Sequence, residues 1–108
     1  MAFSKVEDVF NGMANSFNPS NAQGLDAVFQ YNITGAGGGN WNVVVKDGAC
    51  QVNTGSHPSP NVTLSLDAET WLGMVNKQIN GMQAFMSGKL RVSGDIMLAQ
   101  KMESLFSY

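Results

Sequence analysis

The chain is 108 residues long, 44% hydrophobic and 13% charged, with a net charge of −2 and a pI near 5.0. That length supports one domain, 1–108, with a single core, and the hydrophobic fraction argues against disorder. The acidic balance gives no electrostatic case for binding nucleic acid, and no window of 18 apolar residues exists to span a bilayer as a helix.

Cys50 is the one cysteine and cannot close an internal disulfide. The N-terminus MAFSKVEDVF lacks the long apolar run of a signal peptide, so an intracellular, soluble protein is expected. Ser4 and Glu7 form a capping box. Val6, Val9, Phe10, Met13, Ala14 and Phe17 then recur at helical spacing, which makes a first amphipathic helix that ends at Asn18-Pro19. Over 26–34 the period becomes 2, with Ala27, Phe29, Tyr31 and Ile33 on one face of a strand and Gln30, Asn32 and Thr34 on the other.

The run Gly35-Ala36-Gly37-Gly38-Gly39-Asn40 is not a phosphate loop. It lacks the Gly-Lys-Ser/Thr that should follow, and Trp41 opens a strand where a helix is required. A flexible hairpin connection is the better account. Strands over 41–46 and 49–53 flank Asp47-Gly48, a strong two-residue hairpin signal. That loop pairs Lys46 with Ala49, Val45 with Cys50 and Val43 with Val52, and places the apolar members with Trp41 on one face.

A Pro-rich loop over 55–60 leads to a fourth strand in which Val62, Leu64 and Leu66 alternate with Thr63 and Ser65. Asp67 caps a helix to about Asn76, with Ala68, Leu72, Val75 and Ile79 inward and Trp71 beside that stripe. A short helix from Gly81 presents Met82, Phe85 and Met86 at i, i+3, i+4 and stops at Gly88. A strand follows over 89–93, with Leu90 and Val92 on its buried side. Gly94 breaks it and Asp95 caps a last helix. There Leu98, Met102, Leu105 and Phe106 face inward and Gln100, Glu103, Ser104 and Ser107 outward. The order is α-β-β-β-β-α-α-β-α. One-sided alternation in every strand predicts an α+β (mixed α/β) fold, a sheet with helices on one face and water on the other.

The run Phe85-x-x-Gly88-Lys89-Leu90-x-Val92-x-Gly94-Asp95-x-x-Leu98-Ala99-x-x-Met102 resembles the C-terminal signature of the sterol carrier protein type 2 family. The Trp41 to Gly48 hairpin, the Val62-Thr63-Leu64 strand and the helix containing Trp71 agree with it in order along nearly the whole chain. The resemblance implies a five-stranded mixed sheet with helices over one face and an apolar tunnel between the layers. It implies a carrier of fatty acid, fatty acyl-CoA or sterol, with no cofactor and no catalytic step, acting as a monomer or weak homodimer with transient contact to a membrane surface. An accessory or regulatory module of the same fold, serving a lipid or quinone biosynthetic complex, is the alternative.

Under that resemblance the tunnel wall comprises Met82, Phe85, Met86, Leu98, Met102, Leu105 and Phe106, facing Phe29, Trp41 and Val43, with Trp71 and Val75 alongside. Methionine suits a cavity that accepts several lipid shapes, although it also fills ordinary cores. The chain ends Phe106-Ser107-Tyr108 without the Ser-Lys-Leu peroxisomal address, so a cytoplasmic location is expected. It stops where longer relatives continue with a segment that helps to close the tunnel, and Gly81 stands where relatives often place proline. A more open mouth is the expectation.

Lys89, Arg91 and Lys101 read first as a solvated strand face and helix flank, and second as a docking site for anionic head groups or CoA phosphates. Catalysis is disfavoured. Cys50 points to the core face, His57 lies in a loop, and no third partner orients either. One histidine and one cysteine give no recognisable zinc site. The sequons at Asn32 and Asn61 both lie in strands and read as chance.

Overall fold

The computed structural model describes residues 5–35 and 37–106, without the side chains of Ala14 and 102–104. In chain order it runs α1 (Val6–Ser16), a 3₁₀ turn (Pro19–Ala22), β1 (Ala27–Thr34), β2 (Gly39–Lys46), β3 (Ala49–Thr54) and β4 (Val62–Asp67). There follow α2 (Ala68–Val75), α3 (Gly81–Met86), β5 (Leu90–Gly94) and α4 (Ile96–Leu105). The strands form one sheet in the order β3-β2-β1-β4-β5. β1 and β4 are parallel and every other pair is antiparallel, so the sheet is mixed as expected.

Turn chemistry sets the β2–β3 register. Asp47 and Gly48 both adopt positive φ, 53° and 74°, as a tight two-residue hairpin demands. Lys46 pairs with Ala49, Val45 with Cys50 and Val43 with Val52. The inner face of the sheet then presents Phe29, Tyr31, Val43, Val45, Val62 and Leu64, all buried, to the helices. Phe10 of α1 and Trp71 of α2 close over this face, each in ring contact with Tyr31.

Several details differ from the sequence reading. The first helix takes Lys5 as its N-cap, and the Ser4 half of the expected capping box lies outside the described residues. Asp67 does precede α2, but its carboxylate accepts the Thr70 hydroxyl and no backbone N–H. Trp71 is 1% exposed and central to the core, not a neighbour of the buried stripe.

The outer face of the sheet is also less open to water than alternation suggests. β3 runs parallel to β4, so the chain must return along the sheet between them, and 55–61 does so as a strap over β1 and β2. Seven residues reach at most about 25 Å, which leaves room for nothing bulkier than extended chain. Beneath the strap Gln30 and Asn42 are buried, and their amides are satisfied by it. Asn42 Nδ2 donates to the Gly55 carbonyl at 3.2 Å, and the His57 N–H donates to Gln30 Oε1 at 2.8 Å.

The expectation that both helices flanking β5 bury methionine fails at α3. Its buried residue is Ala84, while Met82, Phe85 and Met86 are 57%, 44% and 79% exposed. Helical spacing shows that three apolar side chains share a stripe, but it does not show what covers the stripe. Here a six-residue helix rests on Ala84 and leaves its large side chains substantially exposed.

Candidate functional site

Where α1 and α2 cover the sheet, Phe10, Tyr31 and Trp71 are buried in mutual ring contact. At the β5 end the layers part around a cleft of about 240 Å³. Its floor is the inner face of β4 and β5, where Leu64 pairs with Val92 and Leu66 with Leu90. Met82 and Phe85 of α3 form one wall, and Ile96, Ala99 and Gln100 of α4 the other. Met74 lies at the α2 end, and Gly81 lines the cleft at the start of α3. Among the described residues, Gln100 is the one polar side chain lining the cleft, and no charged one lines it.

Local sequence holds the walls apart. Gly88 (φ 79°) ends α3 and lets the chain turn into β5. Gly94 (φ 99°) ends β5 where a β-carbon would stand 2.5 Å from the Asn61 carbonyl oxygen, so only glycine fits. Asp95 then caps α4, its Oδ1 accepting the N–H groups of Met97 at 3.0 Å and Leu98 at 3.3 Å. Asn80 does the same for α3, accepting from the Gln83 N–H at 2.6 Å.

Of the residues expected to line a tunnel, Met82 and Phe85 meet at this cleft. Phe29, Val43, Trp71, Val75, Leu105 and Phe106 are fully buried in the packed core, and Trp41 is half-buried against Phe10. Leu98 packs against that core from α4. Met86 projects to the outside, away from the cleft, and the Met102 side chain lies outside the described residues. The floor residues Leu64, Leu90 and Val92 were legible as an inner strand face but not as a ligand surface. Ile96, Ala99 and Gln100 follow at i, i+3, i+4, a second stripe on α4 beside the Leu98 and Leu105 stripe. Gln100 lines the cleft from that stripe and is exposed to solvent as well.

Nucleophilic chemistry finds no constellation among the described residues. Burial pushes the Cys50 thiol up to about 11, which keeps it protonated at neutral pH and unreactive. Cys50 faces the helix layer, whereas His57 sits in the strap on the opposite side of the sheet, its Nδ1 accepting the Ser59 N–H. No group of three metal-ligating side chains gathers among the described residues. No helix among them is long and apolar enough to cross a membrane.

The family model of the SCP-2 sterol transfer family matches residues 10–107. The chain belongs to that family. Hydroxysteroid dehydrogenase-like protein 2 of Rattus norvegicus is 32% identical over 98% of this chain, which spans 20% of that protein. Among the curated relatives it matches, the chain spans about a quarter of their length or less. The crystal structure of Sterol Carrier Protein 2 Like 2 from Aedes aegypti superposes with a TM-score of 0.71 at 31% identity, covering 90% of this chain and 88% of that one. The solution structure of palmitated SCP2L2 from the same species gives 0.78 at 28% identity, covering 96% and 99%. The fold of this chain is therefore that of a lipid-binding domain, with the five-stranded mixed sheet that the resemblance implied.

Proposed function

We propose that the chain binds one lipid, with the apolar tail held in the cleft between α3, β5 and α4. The observation that carries this reading is the cleft's lining, which among the described residues is apolar but for a single amide, on a fold shared with a palmitated relative. The apolar side chains described there suit a hydrocarbon chain, since an unpaired ion buried among them would cost several kcal/mol. Gln100 offers one hydrogen bond to a hydroxyl, ester or carboxyl group at the end of the ligand.

Size sets the mechanism. About 240 Å³ falls below the roughly 300–1,000 Å³ typical of small-molecule sites. A long tail therefore needs the cleft to widen, and α3 is the wall with least to lose, being anchored by Ala84 alone among its side chains. Complete burial of a sixteen-carbon tail gains about 12 kcal/mol. Association costs of about 4–15 kcal/mol offset much of this, which leaves an affinity on the order of micromolar, suited to release as well as capture.

Native mass spectrometry tests the reading. With excess hexadecanoic acid the protein should acquire the mass of one ligand and no second. Failure to acquire either hexadecanoic acid or cholesterol would overturn the proposal.

A further inference from the structure

Among the described residues, Met82 of α3 is the one that lines both the cleft and an open outer depression formed with Asn80, Gln83, Met86 and Ser87. It is more than half exposed, so a single thioether side chain stands between the apolar interior and water. The capped first turn of α3 carries it there, Asn80 Oδ1 accepting the Gln83 N–H. The other methionines with described side chains are placed differently. Met13 is fully buried in the core, and Met74 is half-buried at the α2 end of the cleft. Met86 and Met97 are exposed but do not line the cleft.

A thioether at that boundary differs chemically from the leucine or isoleucine that would fill the same wall. Peroxides oxidise it, and solvent access selects which methionine reacts. The sulfur lone pair attacks one oxygen of hydrogen peroxide and the O–O bond breaks. The hydroxide that leaves takes the proton from the new S–OH group and departs as water. Sulfur has then lost two electrons to the peroxide, and the product is the sulfoxide. The flexible apolar wall now carries a polar S=O group. Turned into the cleft, that group gives up its hydration for contact with hydrocarbon, which is costly. Turned to water, it withdraws the Met82 side chain from the wall. Both arrangements weaken the hold on a tail.

We infer that Met82 is a redox modification site, at which oxidation by hydrogen peroxide releases lipid from the cleft. Met86 and Met97 are open to the same oxidant, but they lie outside the cleft, so their sulfoxides leave its affinity intact. Met74 is shielded by its burial and reacts later. Methionine sulfoxide reductases, one for each sulfoxide epimer, return Met82 to the thioether and restore binding. This inference rests on the lipid-binding reading, to which it adds a means of regulation.

Titration of a fluorescent fatty acid before and after treatment with hydrogen peroxide tests it, each variant being compared with itself. Treatment should lower the affinity of the parent protein about tenfold or more, with little change in the thermal midpoint. Peptide mass mapping should find an added oxygen on Met82, Met86 and Met97 and none on Met13. Met82→Leu should remove most of the loss, whereas Met86→Leu with Met97→Leu should keep it. Incubation with both reductases should return the parent to its starting affinity. Unchanged affinity in a protein whose Met82 is oxidised overturns the inference, and so does an equal loss in Met82→Leu. Resistance of Met82 to a treatment that oxidises Met86 and Met97 overturns it too. A protein that binds no fatty acid before treatment defeats the lipid-binding reading as well, which keeps the two failures distinct.

Discussion

Phe10 of α1 stacks on Trp41 of β2 with ring centroids 4.5 Å apart and planes 9° from parallel. Its opposite neighbour is Trp71 at 5.3 Å, and it meets Tyr31 edge-on at 5.2 Å. One phenyl ring thus ties α1 to β1, β2 and α2. Removing it should be expensive. Phe10→Ala should lower the unfolding free energy by about 3–5 kcal/mol, read from urea denaturation. A loss below about 1 kcal/mol would show that this end of the core is not packed as described.

The two glycines around β5 make a graded comparison. Alanine at Gly88 meets nothing within 4 Å and pays only for a left-handed backbone, about 1–2 kcal/mol. Alanine at Gly94 pays that cost and also drives its β-carbon toward the Asn61 carbonyl oxygen, a backbone atom fixed by its place beside β1. Gly94→Ala should therefore lower the thermal midpoint clearly more than Gly88→Ala. The reverse order would contradict the packing of β5 on the 61–62 corner.

Cys50 provides a pH test with a defined sign. Its thiol titrates near 11 in the fold against an ordinary 9.0, because burial disfavours the thiolate. The folded state binds its proton more tightly than the unfolded state, so this contribution is fully present below about pH 9 and is lost as the pH rises through about 11. Urea midpoints should fall over that window by more in the parent protein than in Cys50→Ala. Equal slopes would mean that the thiol is solvated.

Strand faces and hairpin register were legible because they obey local rules. Period-2 alternation put Phe29, Tyr31 and Val43 on the buried face, and Asp47-Gly48 dictated the pairing of Val45 with Cys50. Gly88, Gly94 and Asp95 announced the junctions around β5 by turn and cap chemistry. What was illegible depends on packing between distant segments. The burial of Gln30 and Asn42 follows from a strap whose path is set by strand order, which no local pattern encodes. The same holds for α3, where the stripe of Met82, Phe85 and Met86 is visible in the sequence but its exposure depends on how the helix sits over β5. Gln100 is exposed, as its polarity suggested, but its place at the cleft depends on how α4 sits over the sheet.

The most direct test of the account is to fill the cleft. Ala99 lines it from α4 and is only partly buried, so Ala99→Trp should place an indole in the cleft with little strain on the core. Titration of a fluorescent fatty acid should then show affinity reduced by about tenfold or more, with the thermal midpoint close to that of the parent. Undiminished affinity in a folded Ala99→Trp protein would contradict the account, because the lipid would have to bind somewhere other than between α3, β5 and α4.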